Sequence, residues 1–501
     1  MTDLLLGVDL GTSSVKAAVI DLSGTTVAAA AEDYSVQQPR PGYAEQDPVA
    51  WWDTLCRTVR RATSQCDATA IRAVGLSGQM HGTVLLDAEM NVLYPAVIWQ
   101  DQRSAVQVAE IEARVGRERL LAIAGSPVAT GFMAATVRWL QAHEPDVWAR
   151  VAHLLLPKDY LRLRMTGALA GDPSDGSGAL LLDAHTRAWS PDLLAALDLP
   201  PDLLPPLRPS DAIGGELTPA AAMALDLQPG IPVVVGAADT ACSALGAGAV
   251  APGAVLLTLS TGGQLIQPVA TPVIDPQGRI HTFCSALTPA QGPGWYQMGA
   301  TLTAGSALRW LRDNVLGFTG DDAYARMTEL AAQATSGADG LLFLPYLAGE
   351  RTPHMDPHAR GMFLGLTLRH GQAELVRAVM EGVTLGCADA FAVLAELGAA
   401  PKEVILAGGG ARSELWQQMV ADVFGLPVRP LQVADQSAAG AALLAGAGVG
   451  LFDLTTTART WARYGAAVTP NAARHVFYRT ALARFRAAYA RNRDLMEAGT
   501  P

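Results

Sequence analysis

The sequence predicts a layered α/β protein made of two similarly folded halves. Three observations predict it. Short apolar strands alternate with helical stretches along the chain. A glycine-tipped hairpin near the N-terminus has an echo in the middle of the chain. The length, 501 residues, exceeds what one ordinary core accommodates, and two domains make a cleft.

Leu4 to Val8 reads as a strand, Gly11-Thr12-Ser13 as a tight turn and Val15 to Asp21 as the return strand, with a further turn at Ser23-Gly24. Trp51 to Ser64, Val106 to Ala122, Ala134 to His143 and Tyr160 to Met165 carry helical periodicity, with Ala73 to Leu76 as an apolar strand among them. The echo comprises strand Ala254 to Leu259, turn Ser260-Thr261-Gly262-Gly263 and return strand Gln264 to Val269. Beyond it, Thr303 to Asp313, Ala323 to Ala334 and Leu375 to Leu397 read as helices, and Glu403 to Ala407 as a buried strand before a glycine run. The domain boundary is expected within Gly-Ala-Gly-Ala-Val-Ala-Pro-Gly at 246–253, which divides the chain into residues 1–248 and 249–501. Neither half contains a low-complexity segment or a long linker.

Composition narrows the partners. A net charge of -11 leaves no basic stripe to neutralise phosphates, which disfavours nucleic acid and anionic membranes and points to small molecules. Cys56, Cys66, Cys242, Cys284 and Cys387 are scattered without C-x-x-C spacing, as expected of reduced thiols in the cytoplasm. The first residues turn directly into a strand, without the basic and apolar regions of an export signal. Thr240 to Thr261 lacks any ionisable side chain except Cys242, but Pro252-Gly253 splits it, so a buried core fits better than a membrane span.

Several segments combine residue types suited to phosphate and polyol chemistry. Asp9 lies at a strand end beside Gly11-Thr12-Ser13, whose backbone N–H groups can nest phosphate oxygens; Asp9 would then face a metal or its waters. An ordinary hairpin turn capped by Asp9 is the alternative. Lys16 is expected to point into solvent. The same nest logic applies to Ser260-Thr261-Gly262, and Gly408-Gly409-Gly410-Ala411 follows a buried strand and precedes a helix with Ser413 as N-cap. A nucleotide could lie against that bare backbone, although close helix–strand packing explains the glycines equally well; it is not a Walker A loop. Asp239, after the apolar run Ile231 to Val235, is placed to take a proton from a sugar hydroxyl or to cap the helix that follows. Gln79 and His81 in Gly78-Gln79-Met80-His81-Gly82 can hydrogen-bond a polyol while Met80 supplies an apolar wall. His354 and His358 superficially suggest zinc, but their proline-bounded loop offers no further spaced ligands.

Together these segments resemble the FGGY carbohydrate kinases over nearly the whole chain. The resemblance rests on Val8-Asp9-Leu10-Gly11-Thr12-Ser13, Glu45-Gln46-Asp47-Pro48 with Trp51-Trp52, Gly78-Gln79-Met80-His81-Gly82 and Leu156-Pro157-Lys158-Asp159-Tyr160-Leu161. In the second half it rests on the run from Leu344 to His354 and on Gly408-Gly409-Gly410-Ala411-Arg412-Ser413. It implies two actin-like (ribonuclease H-like) domains flanking a deep catalytic cleft, the first holding sugar and base, the second the nucleotide. It further implies Asp239 as general base, Asp9 supporting Mg2+ through water, and Gln79, Met80, His81 and Thr240 with Asp239 around the sugar. Gly11, Thr12, Ser13, Ser260, Thr261, Gly262, Gly408, Gly409, Gly410 and Ala411 would meet ATP. The form of the 78–82 loop favours D-xylulose, phosphorylated on its 5-hydroxyl, and family dimers suggest a homodimer. The alternatives are another ketose or polyol such as ribulose, or a catalytically silent sugar- or nucleotide-binding regulator on the same fold. Thr240 and the Ser-Thr-Gly order at 260–262 depart from the usual family pattern.

Overall fold

The computed structural model describes residues 3–498. Two compact units emerge, and neither is a continuous stretch of chain. The first comprises the chain through Ala251 together with Pro268–Tyr296 and Val433–Ala462; the second comprises Pro252–Gln267, Gln297–Gln432 and the chain from Arg463. The first crossing falls inside the glycine-rich segment expected to divide the chain, but a single cut there separates late segments from the unit they pack with.

In the first unit, β1 (Leu4–Leu10) and β2 (Ser14–Asp21) form the expected hairpin, and β3 (Thr26–Asp33) extends it. Every residue of β1 is buried, so its apolar run lies inside the sheet. Next come β4 (Ile71–Gly78), β5 (Ile213–Glu216), β6 (Pro232–Val234) and the short β7 (Ala237–Ala238). The strand order is β5-β6-β4-β1-β2-β3, with β7 also on β4. β1, β6 and β7 all run parallel to β4, so their carboxyl ends lie along one edge. There Asp9 stands opposite Ser77, and Ser77 opposite Ala237.

Flanking helices begin where their caps require. Pro48–Thr63 starts at Asp47, whose carboxylate accepts from the Val49 N–H at 2.9 Å. Pro157–Thr166 has proline at its first position and ends at Gly167 with φ 71°. The helix expected over Val106 to Ala122 is two helices, Ala105–Val115 and Arg117–Ala124; Gly116, at φ 85°, breaks the register that the apolar pattern carries across it.

The late helix Gln436–Gly448 seats directly on this sheet. A Cβ on Gly7 would fall 2.0 Å from the Ala438 carbonyl oxygen, and one on Gly75 would fall 1.8 Å from that of Ala441. The same helix meets Asp239–Gly246 backbone to backbone, because a Cβ on Gly440 would lie 2.0 Å from the Cys242 carbonyl oxygen. These contacts explain why residues from the end of the chain belong to the first unit.

The second unit repeats the hairpin-plus-parallel-strand plan. β8 (Ala254–Leu259) and β9 (Gly263–Val269) form the echoing hairpin, β10 (Glu403–Gly408) lies parallel to β8, and β11 (Val428–Pro430) lies parallel to β10. Within a six-stranded sheet these four are ordered β9-β8-β10-β11, with Leu259 opposite Gly408. The stretch expected as one helix over Thr303 to Asp313 is an α-helix, Gly305–Trp310, that widens into a π-helical turn over Leu311–Leu316. Gln372–Glu396 is the one helix among the described residues long and apolar enough to cross a membrane, and most of its residues are packed inside this unit.

Gly75→Ala is expected to lower the unfolding free energy by roughly 3 kcal/mol or to prevent folding, since backbone rather than a movable side chain blocks the methyl. Gly167→Ala, where no atom lies within 4 Å, carries only the left-handed backbone cost of about 1–2 kcal/mol. Urea denaturation of the two variants measures the difference.

Candidate active site

Two loops and a helix leave the shared edge of β1, β4 and β7, and each carries residues singled out from the sequence. Ligands of open α/β sheets bind outside the carboxyl ends of parallel strands, so this edge is the candidate site of the first unit. Asp9 is buried at the end of β1, where Ser77 Oγ donates to its Oδ1 at 2.7 Å. Burial and the nearby Asp435 carboxylate push the Asp9 carboxyl up to about 6, against the Ser77 hydrogen bond and the Lys16 charge. Lys16 is exposed, as expected, and its Nζ also pairs with Asp435 at 3.0 Å.

Gly11, Thr12 and Ser13 form the turn after Asp9. The Gly11 N–H donates to the Ser14 carbonyl at 3.0 Å, and Tyr34 donates its hydroxyl hydrogen to the Gly11 carbonyl. The Thr12 carbonyl accepts from Gln46 Nε2 at 2.6 Å, and its hydroxyl accepts from Trp99 Nε1 at 2.8 Å. Gln46 also ties this turn to the next loop, because its Oε1 accepts from Gln79 Nε2 at 2.9 Å and from Trp51 Nε1 at 3.2 Å. Gln79 thus braces two loops with one side of its amide; its buried Oε1 has no hydrogen-bond partner.

His81 takes a left-handed backbone with φ 75°, a strained conformation for a side chain of this size. Its Nδ1 lies 2.8 Å from the Gly178 carbonyl, which makes that nitrogen the protonated one, and its ring packs on Phe132 with centroids 3.8 Å apart. Met80 is buried, and its sulfur accepts from the Thr240 hydroxyl at 3.1 Å. Thr240 Oγ1 also lies 2.6 Å from the Tyr296 hydroxyl, so protein groups occupy both sides of it.

Asp239 opens the helix Asp239–Gly246 as its first residue; Ala238 is the N-cap, and Asp239 Oδ1 accepts from the Thr240 N–H at 2.7 Å. Burial of the carboxyl and the charge of Asp9 push it up to about 7. Two carboxylates thus face one edge, each held above the ordinary range by an environment that disfavours more negative charge.

The second unit places its motifs on the corresponding edge, after β8 and β10. Ser260, Thr261 and Gly262 turn with their carbonyls tied down: Gly305 N–H donates to Ser260 O at 2.7 Å, Ala304 N–H to Thr261 O at 2.9 Å and Ser260 N–H to Gly262 O at 3.0 Å. Gly408 and Gly409 are exposed, whereas Gly410 and Ala411 are buried. A Cβ would lie 2.4 Å from Leu259 O at Gly408 and 2.8 Å from the Leu259 side chain at Gly410, so close packing explains those two glycines; Gly409 is bare with room in front of it. Ser413 caps the helix Glu414–Phe424, accepting from the Trp416 N–H at 3.3 Å. Behind the 260–262 turn, Glu350 Oε1 accepts from the N–H groups of Leu302 at 2.8 Å and Arg351 at 2.7 Å, while burial pushes its carboxyl up to about 8. His354 serves this unit's packing: its Nε2 lies 3.1 Å from the Tyr346 hydroxyl and its ring stacks on Tyr489.

Sequence reasoning missed Ser77, Gln46, Trp99, Tyr296 and Asp435. Gln46 lay inside a quoted motif and Asp435 carries a charge, but only tertiary pairing reveals what they touch.

Residues 4–246 match the N-terminal domain of the FGGY family of carbohydrate kinases, and residues 258–449 match its C-terminal domain. The chain is 42% identical to the xylulose kinase of Escherichia coli (strain K12) over 422 residues, 84% of this chain and 85% of that protein. It is 34% identical to the xylulose kinase of Bacillus subtilis (strain 168) over 494 residues, 98% and 97% of the two chains. The crystal structure of xylulose kinase from Rhodospirillum rubrum superposes with a TM-score of 0.90 at 33% identity, covering 98% of this chain and 99% of that one. The architecture is therefore the two-domain, actin-like α/β fold of carbohydrate kinases. The chain belongs to the FGGY family and is a phosphotransferase.

Ser77→Ala removes the one neutral donor on Asp9 Oδ1 and is expected to raise that carboxyl above about 6 by on the order of one pH unit. Carboxyl 13C NMR of aspartate-labelled protein reads the titration directly.

Proposed function

We propose that this enzyme transfers the γ-phosphoryl group of ATP to the 5-hydroxyl of D-xylulose, with Asp239 as the general base. The observation that carries the reading is the placement of Asp9, Gln79-Met80-His81 and Asp239-Thr240 at the carboxyl ends of three parallel strands that share one edge. Xylulose kinases that match nearly the whole chain support the choice of sugar.

Asp239 is the candidate to accept the sugar hydroxyl proton, because a carboxyl held at about 7 is a stronger base than an ordinary carboxylate and still ionises near neutrality. His81 is suited to hold a sugar oxygen, Met80 to wall the pocket, and Thr240, itself held by Tyr296, to fix the Met80 sulfur. In the second unit, the 260–262 turn and Gly409 offer backbone to nucleotide phosphates and the adenosine. Gly11, Thr12 and Ser13 offer a second phosphate nest, and Gly408, Gly410 and Ala411 shape the backbone around Gly409. The first unit would serve the sugar and the base, the second the nucleotide.

Mg2+ fits Asp9: a hard carboxylate oxygen, crowded by the charges of Asp435 and Asp239, is the environment in which a divalent cation with retained waters gains most. Bound there, it would offset negative charge on the phosphates. Five unpaired cysteines support a reducing, cytoplasmic setting. A homodimer is the expected assembly, to be read by light scattering on an eluting peak.

Coupled ADP release from Mg-ATP with D-xylulose, D-ribulose, L-ribulose, glycerol and gluconate tests the substrate. Preference for D-xylulose is expected, and Asp239→Asn should cost roughly 10²–10⁴ in kcat. Equal turnover of another sugar would move the assignment to that sugar. A binding regulator is the reading left if no sugar is turned over.

The acid limb of kcat/KM should have its midpoint near pH 7, where Asp239 loses its proton. A carboxyl raised in the folded state favours folding fully below its unfolded value, and that contribution is lost as pH rises through about 7. Asp239→Asn should therefore gain melting temperature relative to the parent between pH 5 and pH 8. A constant difference across that range would show that Asp239 does not titrate there.

A further inference from the structure

Beneath the candidate site of the first unit lies a group of charges that the reaction does not use. Lys158 is fully buried, with its Nζ 2.6 Å from Asp159 Oδ1, 3.1 Å from Asp172 Oδ1 and 3.7 Å from Asp175 Oδ2. Arg162, also fully buried, donates from Nη1 to Asp159 Oδ1 at 2.7 Å and to the Val235 carbonyl at 3.2 Å. Replacing such an ion cluster by apolar packing is often neutral or stabilising, so its presence calls for a role other than stability.

Its connections supply one. Asp172 Oδ2 accepts from the Ser174 N–H at 2.9 Å, from the Ser174 hydroxyl and from Ser210 Oγ at 2.9 Å. The Ser174 hydroxyl hydrogen is thus committed to Asp172, and its oxygen accepts from the Ala238 N–H at 3.0 Å. Ala238 immediately precedes Asp239. The short segment between β6 and the Asp239 helix is therefore held at Val235 by Arg162 and at Ala238 by Ser174. The turn that contains Ser174 continues to Gly178, whose carbonyl accepts from His81 Nδ1. A Cβ at Gly178 would lie 3.0 Å from both His81 Nδ1 and the Met80 methyl carbon, so a side chain there would press on both.

We propose that Ser174, anchored through Asp172 to the buried Lys158, is a positioning residue that fixes the Asp239 carboxylate relative to His81. The inference rests on the reading of Asp239 as the base. It adds a physical reason for the charge cluster: an ion network over-determines the place of one backbone N–H, where apolar packing would leave it free to shift by fractions of an ångström. Displacements on that scale matter to the rate, since misplacement of reacting groups by about 1 Å can cost on the order of 10².

The test compares kcat, KM for D-xylulose and KM for ATP in the full-length protein carrying Ser174→Ala, Ser210→Ala or Asp239→Asn, with urea midpoints for each. Ser210→Ala removes an equal hydrogen bond from Asp172 but none from the 235–238 segment, because the Ser210 backbone carbonyl that accepts from the Gly236 N–H remains. The expected result is a kcat at least tenfold lower in Ser174→Ala with KM for ATP within twofold, and a kcat within twofold of the parent in Ser210→Ala. Should Ser174→Ala fail to fold, Ser174→Cys, which keeps the size and loses the strong hydroxyl bridge, is expected to show the same fall. Equal losses in the two serine variants, or a parental kcat in Ser174→Ala or Ser174→Cys, would overturn the positioning role while leaving the base intact. Retained turnover in Asp239→Asn would overturn the base reading and this inference with it.

Discussion

The first unit depends on one steric constraint: the late helix Gln436–Gly448 lies against β1 and β4 with backbone touching backbone. No residue other than glycine fits at Gly7 or Gly75, because any Cβ would fall within 2.0 Å of a backbone carbonyl oxygen. Contact this close multiplies weak dispersion terms over two strands and a helix, and it fixes the register of the helix to within a fraction of a residue. Everything attached to that helix inherits its placement. Asp435 at its N-cap reaches Lys16 and the field around Asp9. Gln436 donates to Ser243 Oγ at 2.6 Å on the helix that Asp239 begins.

Electrostatics then follows from placement. Asp9 and Asp239 sit at one sheet edge in surroundings that discourage charge, and the charge on the first makes ionisation of the second harder. Such a pair is costly for folding at neutral pH. It would suit the proposed catalysis, in which the two carboxyls respond to different partners: Asp9 to cations, Asp239 to a proton on a substrate oxygen. The helix packing that makes the fold possible thereby also sets the charge state of the edge where chemistry is proposed.

What the sequence made legible is what is local. Hairpins announced themselves by apolar runs broken at glycine and hydroxyl residues, and their echo across the two halves survives as the common plan of β1, β2 and β4 with β8, β9 and β10. The Ser413 cap and the strand before the 408–411 turn are likewise encoded within a few residues. Helix continuity at Gly116 was misjudged because the apolar pattern carries on while the backbone does not. The discontinuous first unit was out of reach for a deeper reason: the information lies in the match between glycines at 7 and 75 and a helix near the other end of the chain, and no local periodicity reports it. Thr240 illustrates the same limit at the site. Its hydroxyl was expected near the sugar, and its contacts with Tyr296 and Met80 come from distant parts of the chain that no local pattern reports.

The two kinds of packing in the first unit answer different demands. Glycine contacts between the late helix and the sheet are apolar and close, and they define where the helices lie; they do little to orient a single amide or carboxylate, because dispersion is nearly indifferent to rotation about a bond. Hydrogen bonds and ion pairs are directional. Val235 and Gly178 lie outside the strands, and at Ala238, the last residue of β7, the backbone N–H is given to Ser174; these are the points where Arg162, Ser174 and His81 attach. Fully buried Lys158 and Asp172, which cost desolvation energy wherever they stand, are concentrated where the sheet ladder ends and direction must come from somewhere else. On this view the charges continue the work of the strand hydrogen bonds past the ends of β4 and β7, and carry a fixed geometry from the sheet into the loops that would meet the sugar.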